Sequence, residues 1–496
     1  MINQKVEFEN TETEIKCEFG EAIRELQISK LLTKSNIKGK NGKSFYEVFQ
    51  FLLVLVFQNC NLYHFLNSKK KDTAFSKNTY YRFLNNASFN WVKFISLLAA
   101  RVTAYFDRLT RPERVTCLVL DDSVIARERS KKVELLSYVF NHVIGKTVKG
   151  FNLLTLGWTD GYSFIPVGFN MMASAKASNR IAPANASIDK RSNGGKARKN
   201  AVLQKPEAAM KLIRNARNAG IKASYVLMDT WFTNEPFIAN ILAEGLDVIG
   251  MLKDNKQYYI YNGKKYNLKQ LGKLVSFSKP GDILYSICVK TGKQNIPVKL
   301  VFVRNRNKRS EYIVLLSTNC TLSNEEIVRI YGNRWSIELF FRTSKSLLDL
   351  GSEFQGLSYD MTVSSTAIVF TRYVLIEWLR RKKNDEKTIC ELFYVCCDDI
   401  QDMELSTALK QLLEILVNGL GNQKSTNQLV RVPACIYTGF MPRFRVGSLS
   451  YYSCHKPSCK KDRWKSVKTF TGGARIALKK SEKDCILMIV GSPTEW

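Results

Sequence analysis

The sequence predicts an α/β fold in which a mixed β-sheet is flanked by helices. From residue 115 it contains three short β-rich runs, VTCLVLD (115–121), FNLLTLGWTDG (151–161) and YSFIPVGF (162–169). A helix that begins at Pro206, the run YVLMD (225–229), a helix over 235–245 and the run DVIGML (247–252) follow. The order is therefore β-β-β-α-β-α-β, and Asp160-Gly161 predicts a tight hairpin between the second and third strands.

The charge of the chain points to a polyanionic partner. Lys and Arg number 75 and Asp and Glu number 44, so the formal net charge is +31, a balance that attracts nucleic acid. The longest apolar run, FLLVLVF over 51–57, is much shorter than the roughly 20 residues that cross a bilayer. Twelve cysteines without a CxxC pair are typical of free thiols in a reducing compartment. We therefore expect DNA as a partner and no membrane.

The chain divides by composition into five segments. Residues 1–110 are basic with helical patterning, residues 255–320 are β-rich around an Asn262-Gly263 turn, and the last segment is basic without a clear period. We expect a helical DNA-binding domain (1–110), the first part of an α/β core (111–254), a β-rich insertion (255–320), the helical second part of the core (321–425) and a basic tail of uncertain fold (426–496).

Two basic residues in the N-terminal segment are candidates for DNA contact. Ser76 can cap a helix whose first turns carry Lys77 and Arg82, a composition found in DNA-reading helices. The alternative is an exposed helix end that is packed by neighbouring aromatic residues. The polar, basic segment over 173–205 predicts a mobile loop, either a phosphate clamp or a solvated linker.

Carboxylates are the candidate catalytic groups. With only three histidines, a histidine-based metal centre or a Ser-His-Asp site is hard to build. Asp121 and Asp229 each end a predicted strand, where catalytic groups in sheets often lie, although each alone could be a turn residue or a helix cap. Glu338 is a third candidate. Three carboxylates at one point require cations, and ligands that are all oxygen favour two ions of Mg²⁺ or Mn²⁺.

The segment RIYGNRWSIELFFRTSKSLLDL (329–350) predicts a helix with two stripes. At about 100° per residue, Tyr331, Arg334, Glu338 and Lys345 share one narrow polar stripe. A wide apolar stripe beside it would face a core. Ser323 and Glu326 form a candidate capping box upstream. The simplest alternative is a surface helix with an ordinary Arg334–Glu338 pair.

These residues resemble a known family. The spacing Tyr-x2-Arg-x3-Glu-x6-Lys, together with the segments LVLDDSVI, KGFNLLTLGWTDGYSFIPV and YVLMDTWF, is similar to bacterial insertion-sequence DDE transposases of the insertion-sequence-four type. The resemblance covers roughly residues 40–420. It implies an RNase H-like core with a five-stranded mixed sheet, a β-rich insertion before the catalytic Glu, and a cytoplasmic, nucleoid-associated bacterial protein.

The resemblance also implies roles for the site residues. Asp121, Asp229 and Glu338 would be the catalytic, metal-binding triad, with Ser123 in the family's hydroxyl position and Asp122 as the alternative first carboxylate. Two Mg²⁺ or Mn²⁺ ions would assist water attack at each transposon end, followed by joining of the freed 3′-hydroxyl to the opposite strand or to target DNA. By this likeness the side chains that contact DNA near the cleaved bond are Tyr331, Arg334 and Lys345.

Several alternatives remain open from the sequence. Trp335 could stack on a displaced base or simply pack against its neighbours. The implied partners are duplex DNA with terminal inverted repeats, target DNA and a second copy of the chain in the synaptic complex. A two-metal nuclease without strand transfer and an inactive, transposase-derived DNA-binding protein are the competing functions. In the tail, Cys454, His455 and Cys459 are too few ligands for a closed zinc site.

Overall fold

The structure, a computed structural model, describes residues 18–401 and four strands beyond them. Short gaps in the first range lie at 40–44, 69–74, 110, 112, 255–256, 275–280, 306–307, 309–310, 355 and 384–385. The chain divides into two compact units, Met1–Met403 and Glu404–Trp496. No helix in the described part is long and apolar enough to cross a bilayer, and the cysteines placed there carry free thiols.

The N-terminal segment is helical where it is described, as the sequence predicted. The longest of its helices, α6, buries Trp91, Phe94, Leu98 and Val102 along one face at the three- and four-residue spacing of an amphipathic helix. α6 contacts the sheet strand β4 (Phe164–Met172), so these helices join the same core as the sheet. The helices of this segment are α1 (Glu18–Glu25), α2 (Ile28–Lys34), α3 (Phe45–Val54), α4 (Leu62–Leu66), α5 (Lys77–Leu84) and α6 (Trp91–Leu109).

A mixed sheet forms the centre of the first unit. Its middle strands are β1 (Cys117–Ala126), β3 (Lys146–Thr159), β5 (Tyr225–Met228) and β6 (Asp247–Leu252). β1, β5 and β6 run parallel, whereas β3 is antiparallel to both β1 and β4. The hairpin predicted at Asp160-Gly161 is present, and Gly161 has a φ of +83°, a conformation that glycine adopts without strain. The remaining elements of this region are β2 (Ser137–Asn141), α7 (Asn193–Ala201), α8 (Lys205–Asn218) and α9 (Glu235–Ala243).

The β-rich insertion extends the same sheet, which therefore has eleven strands where five were expected for the core. β11 pairs antiparallel with β6, and β10 and β9 continue outward from it. The predicted Asn262-Gly263 turn joins β7 to β8, with φ values of 47° and 74°. The insertion contains β7 (Tyr258–Tyr261), β8 (Lys264–Asn267), α10 (Leu268–Leu274), β9 (Ile283–Thr291), β10 (Pro297–Arg304) and β11 (Tyr312–Ser317).

The two-striped helix of the sequence is divided in two. α11 (Asn324–Gly332) begins at the predicted capping box of Ser323 and Glu326, and α12 (Trp335–Ser346) follows. The break at Asn333–Arg334 keeps helical dihedral angles, and the backbone there bonds three residues back, from Arg334 to Tyr331 and from Ile337 to Arg334. The local tightening therefore divides the helix without separating Arg334 from Glu338, which remain hydrogen-bonded.

Two further predictions from the sequence are corrected by the structure. β1 does not end at Asp121 but continues to Ala126, because β3 pairs with it along its whole length. The segment over 173–205 is not a loop throughout, since α7 occupies 193–201. Arg198 of α7 is buried and pairs with Glu134 and Asp360 at 2.6 and 2.7 Å. Buried ion pairs of this kind replace the apolar contacts that the composition lacks.

The second unit has a four-stranded antiparallel sheet in the order β12, β15, β14, β13. Its strands are β12 (Arg431–Val432), β13 (Trp464–Thr469), β14 (Arg475–Lys480) and β15 (Cys485–Val490). The possible zinc ligands Cys454, His455 and Cys459 lie outside the described residues. The division of the chain into five segments stays a prediction.

A buried ion pair lies between the last long helix, α13 (Tyr359–Lys382), and its neighbours α3 and α12. Arg372 is fully buried and pairs with Glu353 at 2.5 Å. Its guanidinium also donates to the backbone carbonyls of Leu52 and Leu53 in α3 and of Leu348 just after α12. One side chain therefore ties the N-terminal helices and the end of α12 to α13.

Replacing Glu353 by Gln should lower the free energy of unfolding by about 3 kcal/mol, because it leaves the buried Arg372 charge uncompensated. The matched control is Glu311→Gln, which removes the exposed pair with Lys308 and should cost less than about 1 kcal/mol. Urea titrations followed by tryptophan fluorescence measure both. Equal, small effects of the two substitutions would contradict the pinning role of Arg372.

Candidate active site

The register between β1 and β5 places two carboxylates side by side. The strands run parallel, and their pairing ends where Leu120 lies opposite Met228. The next residue on each strand is an aspartate, Asp121 and Asp229. β1 continues past this point along β3, so Asp121 lies within β1 beside the carboxyl end of β5, where Asp229 follows.

Strand alternation separates the two adjacent aspartates of β1. Successive side chains point to opposite faces, so Asp121 and Ser123 share one face and Asp122 lies on the other. On the first face, Asp121 accepts a hydrogen bond from Arg334 at 3.1 Å, and Ser123 accepts one from Lys345 at 2.8 Å. Asp122 instead pairs with Lys205 at 3.1 Å. The face that carries Asp121 is therefore the one that α12 covers.

Asp229 is held by the backbone that follows it. Its Oδ1 accepts hydrogen bonds from the N–H groups of Trp231 and Phe232 at 3.0 and 3.4 Å. The hydroxyl of Thr233 donates to the Asp229 carbonyl at 2.6 Å. Thr233 fits there because Gly250 of β6 has no side chain, and a Cβ at that position would lie 2.4 Å from the Thr233 hydroxyl. The turn after β5 thus fixes the carboxylate before any ligand binds.

α12 contributes the third carboxylate together with a cation. One terminal nitrogen of Arg334 donates to Asp121 and the other donates to Glu338, one turn further along the helix. The pair is partly shielded, since Arg334 is 14% exposed and Glu338 is 35% exposed. Ile337 and Phe340, on the apolar stripe of α12, are buried. Their packing fixes the orientation of the helix, so that Arg334 on its polar stripe contacts Asp121 of β1. Arg334 therefore bridges carboxylates from two elements.

The buried carboxylates are short of positive charge. Burial raises the pKa of Asp121 to about 7, even though Arg334 and the N–H of Asp122 oppose that rise. Burial also raises the pKa of Asp229, with Asp122 adding to the rise and Arg334 opposing it. A pKa that stays high beside a guanidinium means that the ionised forms are stabilised incompletely. The site is thus suited to hold more cationic charge than Arg334 supplies.

The other residues predicted near the carboxylates are placed unequally. The Tyr331 ring lies 5.9 Å from the Arg334 guanidinium, and burial raises the Tyr331 pKa to about 12. Lys345 also donates to the carbonyl of Val124 at 2.9 Å. Trp335 is 57% exposed, so its side chain is open to a ligand. These residues line the same edge as the triad.

Lys77 and Arg82 are not part of this cluster. Both lie exposed on α5, where Lys77 is 6.0 Å from the Tyr81 ring and Arg82 donates to the carbonyl of Asn78. α5 packs against α3 and α13. Their contact with DNA stays a prediction that concerns a separate surface.

One site residue escaped the sequence analysis. Lys205 pairs with Asp122, and its ammonium lies 4.8 Å from the centre of the Trp231 ring. The aromatic ring is half exposed, so the pair is a cation–π contact at the rim of the site. The sequence shows only a lysine before Pro206 at a helix start, and nothing there indicates the contact.

The donor chemistry fits a divalent cation, but the present arrangement is closed by Arg334. Asp121, Asp229 and Glu338 offer carboxylate oxygens alone, which suits Mg²⁺ or Mn²⁺. Across the described residues, no three acidic, histidine or cysteine side chains form a ready metal-ligand group. The Arg334 guanidinium lies between two of the three carboxylates, so these residues could hold an ion after the guanidinium withdraws.

Two known protein families have models that match this region. A family model described as a DDE superfamily endonuclease matches residues 61–272, and one described as a transposase DDE domain matches residues 199–353. The first match includes Asp121 and Asp229, and the second includes Asp229 and Glu338. A comparison with curated proteins gave no significant match. Residues 61–353 of the chain are therefore similar to DDE domains of the endonuclease and transposase type.

Proposed function

We propose that the chain is a DNA transposase of the insertion-sequence-four type that cuts and joins DNA at the ends of its own element. The observation that carries the proposal is that Arg334 donates to Asp121 of β1 and to Glu338 of α12, while Asp229 follows the end of β5 where that strand pairs with β1. The net charge of +31 supports a phosphodiester substrate. The two DDE matches support the same class.

In this proposal the chain's own residues position the substrate and the cations. Asp121, Asp229 and Glu338 would hold two Mg²⁺ or Mn²⁺ ions, the DDE site of an RNase H-like core. When bound, such ions activate the attacking water or hydroxyl and stabilise the leaving oxygen. Arg334 then pairs with a phosphate, because its planar fork matches phosphate oxygens as well as carboxylates. Tyr331 and Lys345 contact neighbouring phosphates, and the exposed Trp335 stacks on a base.

The proposed partners follow from the reaction. The substrate is duplex DNA with terminal inverted repeats, and the second substrate is target DNA. Cutting two ends together requires two active sites, so we propose a homodimer in the complex that holds both ends. We place the protein with the nucleoid of a bacterium.

A two-metal nuclease is the second candidate, because one of the matching families is described as an endonuclease. The two functions differ in strand transfer. Incubation with Mg²⁺, a labelled duplex from the DNA that flanks the gene, and a supercoiled target plasmid separates them. A labelled joined product supports the transposase, whereas cleavage without joining supports the nuclease. Binding without cleavage would indicate a non-catalytic DNA-binding protein.

The substitutions Asp121→Asn, Asp229→Asn and Glu338→Gln should each lower the cleavage rate on the order of a hundredfold or more, because each removes a negative charge that would hold the two cations. DNA binding should change by less than about threefold, since the phosphate contacts remain. Single-turnover cleavage assays and fluorescence anisotropy measure the two quantities. Retained cleavage in one variant removes that residue from the triad.

The matched control for this experiment is Asp122→Asn, one residue along the same strand. Asp122 faces Lys205 and not α12, so this variant should keep cleavage within about tenfold of the unmodified chain. The opposite result, with Asp122 required and Asp121 dispensable, would make Asp122 the first catalytic carboxylate.

Replacement of Arg334 by Ala should weaken binding of the cut end and reduce the slope of log affinity against log salt by about one unit, because one phosphate contact is lost. The control is Arg217→Ala. Arg217 lies on α8 and, like Arg334, pairs with an acidic residue, Glu244. That variant should leave the slope unchanged. An unaltered slope in Arg334→Ala would exclude a phosphate contact for this residue.

A further inference from the structure

A β-hairpin formed by β2 and the start of β3 exposes apolar and aromatic side chains that have no role in the proposed chemistry. β2 pairs with the first five residues of β3, and the hairpin tip lies between them. Val143 and Ile144 at the tip are 93% and 51% exposed, and Tyr138 and Phe140 on β2 are each 50% exposed. Exposed apolar groups that cluster in this way mark interaction sites in folded proteins.

The exposed residues form one continuous face. Tyr138 and Phe140 are two residues apart on the same strand and so point the same way. They lie opposite Lys149 and Thr147 of β3 in the register. The Phe140 ring contacts the His142 ring edge-to-face at 4.8 Å. Aromatic side chains and the basic Lys149 therefore share this surface, which we call the hairpin face (Tyr138, Phe140, His142, Val143, Ile144 and Lys149).

The opposite side of the hairpin is anchored. Val148 of β3 is buried, and the Ser137 hydroxyl accepts a hydrogen bond from the Ser174 N–H at 3.0 Å. The Ile181 N–H donates to the Leu136 carbonyl at 2.7 Å. The base of the hairpin is thus fixed to the core, while its face and tip stay exposed and accessible to a ligand.

The charge of the hairpin identifies its partner. From residue 135 to residue 159 the sequence contains no acidic residue, and Lys146 and Lys149 both lie on β3 of the hairpin. A contact between protein copies would place this basic face against a chain whose net charge is +31. DNA satisfies both features, because phosphates pair with the lysines and the faces of unpaired bases stack on aromatic rings.

The direction of the strands sets the distance to the active site. β3 runs from its pairing with Asp121 at Thr155 to the tip near Gly145, a length of 155 − 145 = 10 residues. At about 3.3 Å per residue this is roughly 33 Å. The tip projects beyond the carboxyl end of β1, so it lies past the edge that carries the carboxylates. One turn of duplex DNA covers a similar length.

We propose that the hairpin face binds unpaired bases of DNA about one helical turn from the catalytic carboxylates. Tyr138 and Phe140 stack on the bases, Val143 and Ile144 insert where the duplex opens, and Lys149 neutralises an adjacent phosphate. The proposal rests on the proposed function for its DNA substrate. It adds a second contact region that acts on DNA structure and not on the reacting bond.

The test compares the affinity of the full chain for two duplexes of equal length, one fully paired and one with a short internal bubble, without divalent cations. The variant Tyr138→Ala/Phe140→Ala should bind the bubble duplex about tenfold more weakly and the paired duplex within about threefold of the unmodified chain. Val143→Asp, at a position too exposed to affect folding, should also weaken bubble binding. The control Tyr258→Ala removes a tyrosine of similar exposure, 52%, and should change neither affinity.

A spectroscopic readout reports the stacking itself. 2-Aminopurine placed in the bubble should lose fluorescence when the unmodified chain binds, and this quenching should disappear in Tyr138→Ala/Phe140→Ala and return in Tyr138→Ala/Phe140→Trp. Equal losses on both duplexes, or unchanged quenching, would overturn the proposal. The proposal would also be overturned if sedimentation showed that the unmodified chain is a dimer and that Tyr138→Ala/Phe140→Ala is a monomer, because the face would then be a contact between protein copies. If these losses are absent while DNA is still cleaved, the hairpin proposal alone fails. If the unmodified chain neither binds nor cleaves DNA, the proposed function fails.

Discussion

The double salt bridge of Arg334 is the interaction on which the candidate active site depends. Asp121, Asp229 and Glu338 come from three distant parts of the chain, and like charges at close range repel. Arg334 offsets this repulsion by donating to Asp121 and Glu338 at once. Burial nevertheless raises the pKa of Asp121 to about 7, so one guanidinium only partly balances the acids. The proposed divalent cations would supply the remaining positive charge.

The surrounding fold holds this arrangement in place. The parallel pairing of β1 with β5 fixes the positions of Asp121 and Asp229, and the buried stripe of α12 fixes the orientation of Glu338. Arg372 connects the end of α12 to α13 and to the N-terminal helices. Each connection is made by buried groups, which move little when a ligand binds at the exposed edge. The carboxylates therefore belong to the rigid part of the molecule.

The sequence was sufficient to predict the features that depend on local pattern. β-rich runs that end in carboxylates located Asp121 and Asp229, and helical spacing grouped Arg334 with Glu338, which the structure brings into contact. The capping box and both predicted turns are present for the same reason. The roles of these residues in catalysis stay predictions.

Features that depend on distant partners could not be predicted. β1 continues past Asp121 because β3 pairs with it, and the insertion joins the sheet because β11 pairs with β6. The basic composition around Arg198 resembled a loop, since its buried partners Glu134 and Asp360 lie 64 and 162 residues away. Periodicity and composition describe only neighbouring residues, so long-range pairs are invisible to them.

The central claim, that Asp121, Asp229 and Glu338 form one cation-binding centre, is tested most directly by Mn²⁺ binding. The electron paramagnetic resonance signal of free Mn²⁺ falls as the ion binds to the full chain in the absence of DNA. The account predicts that Asp121→Asn and Glu338→Gln each weaken this binding, and that Arg334→Gln strengthens it because a competing cation is removed. Mn²⁺ binding that is the same in all three variants and the unmodified chain would contradict it.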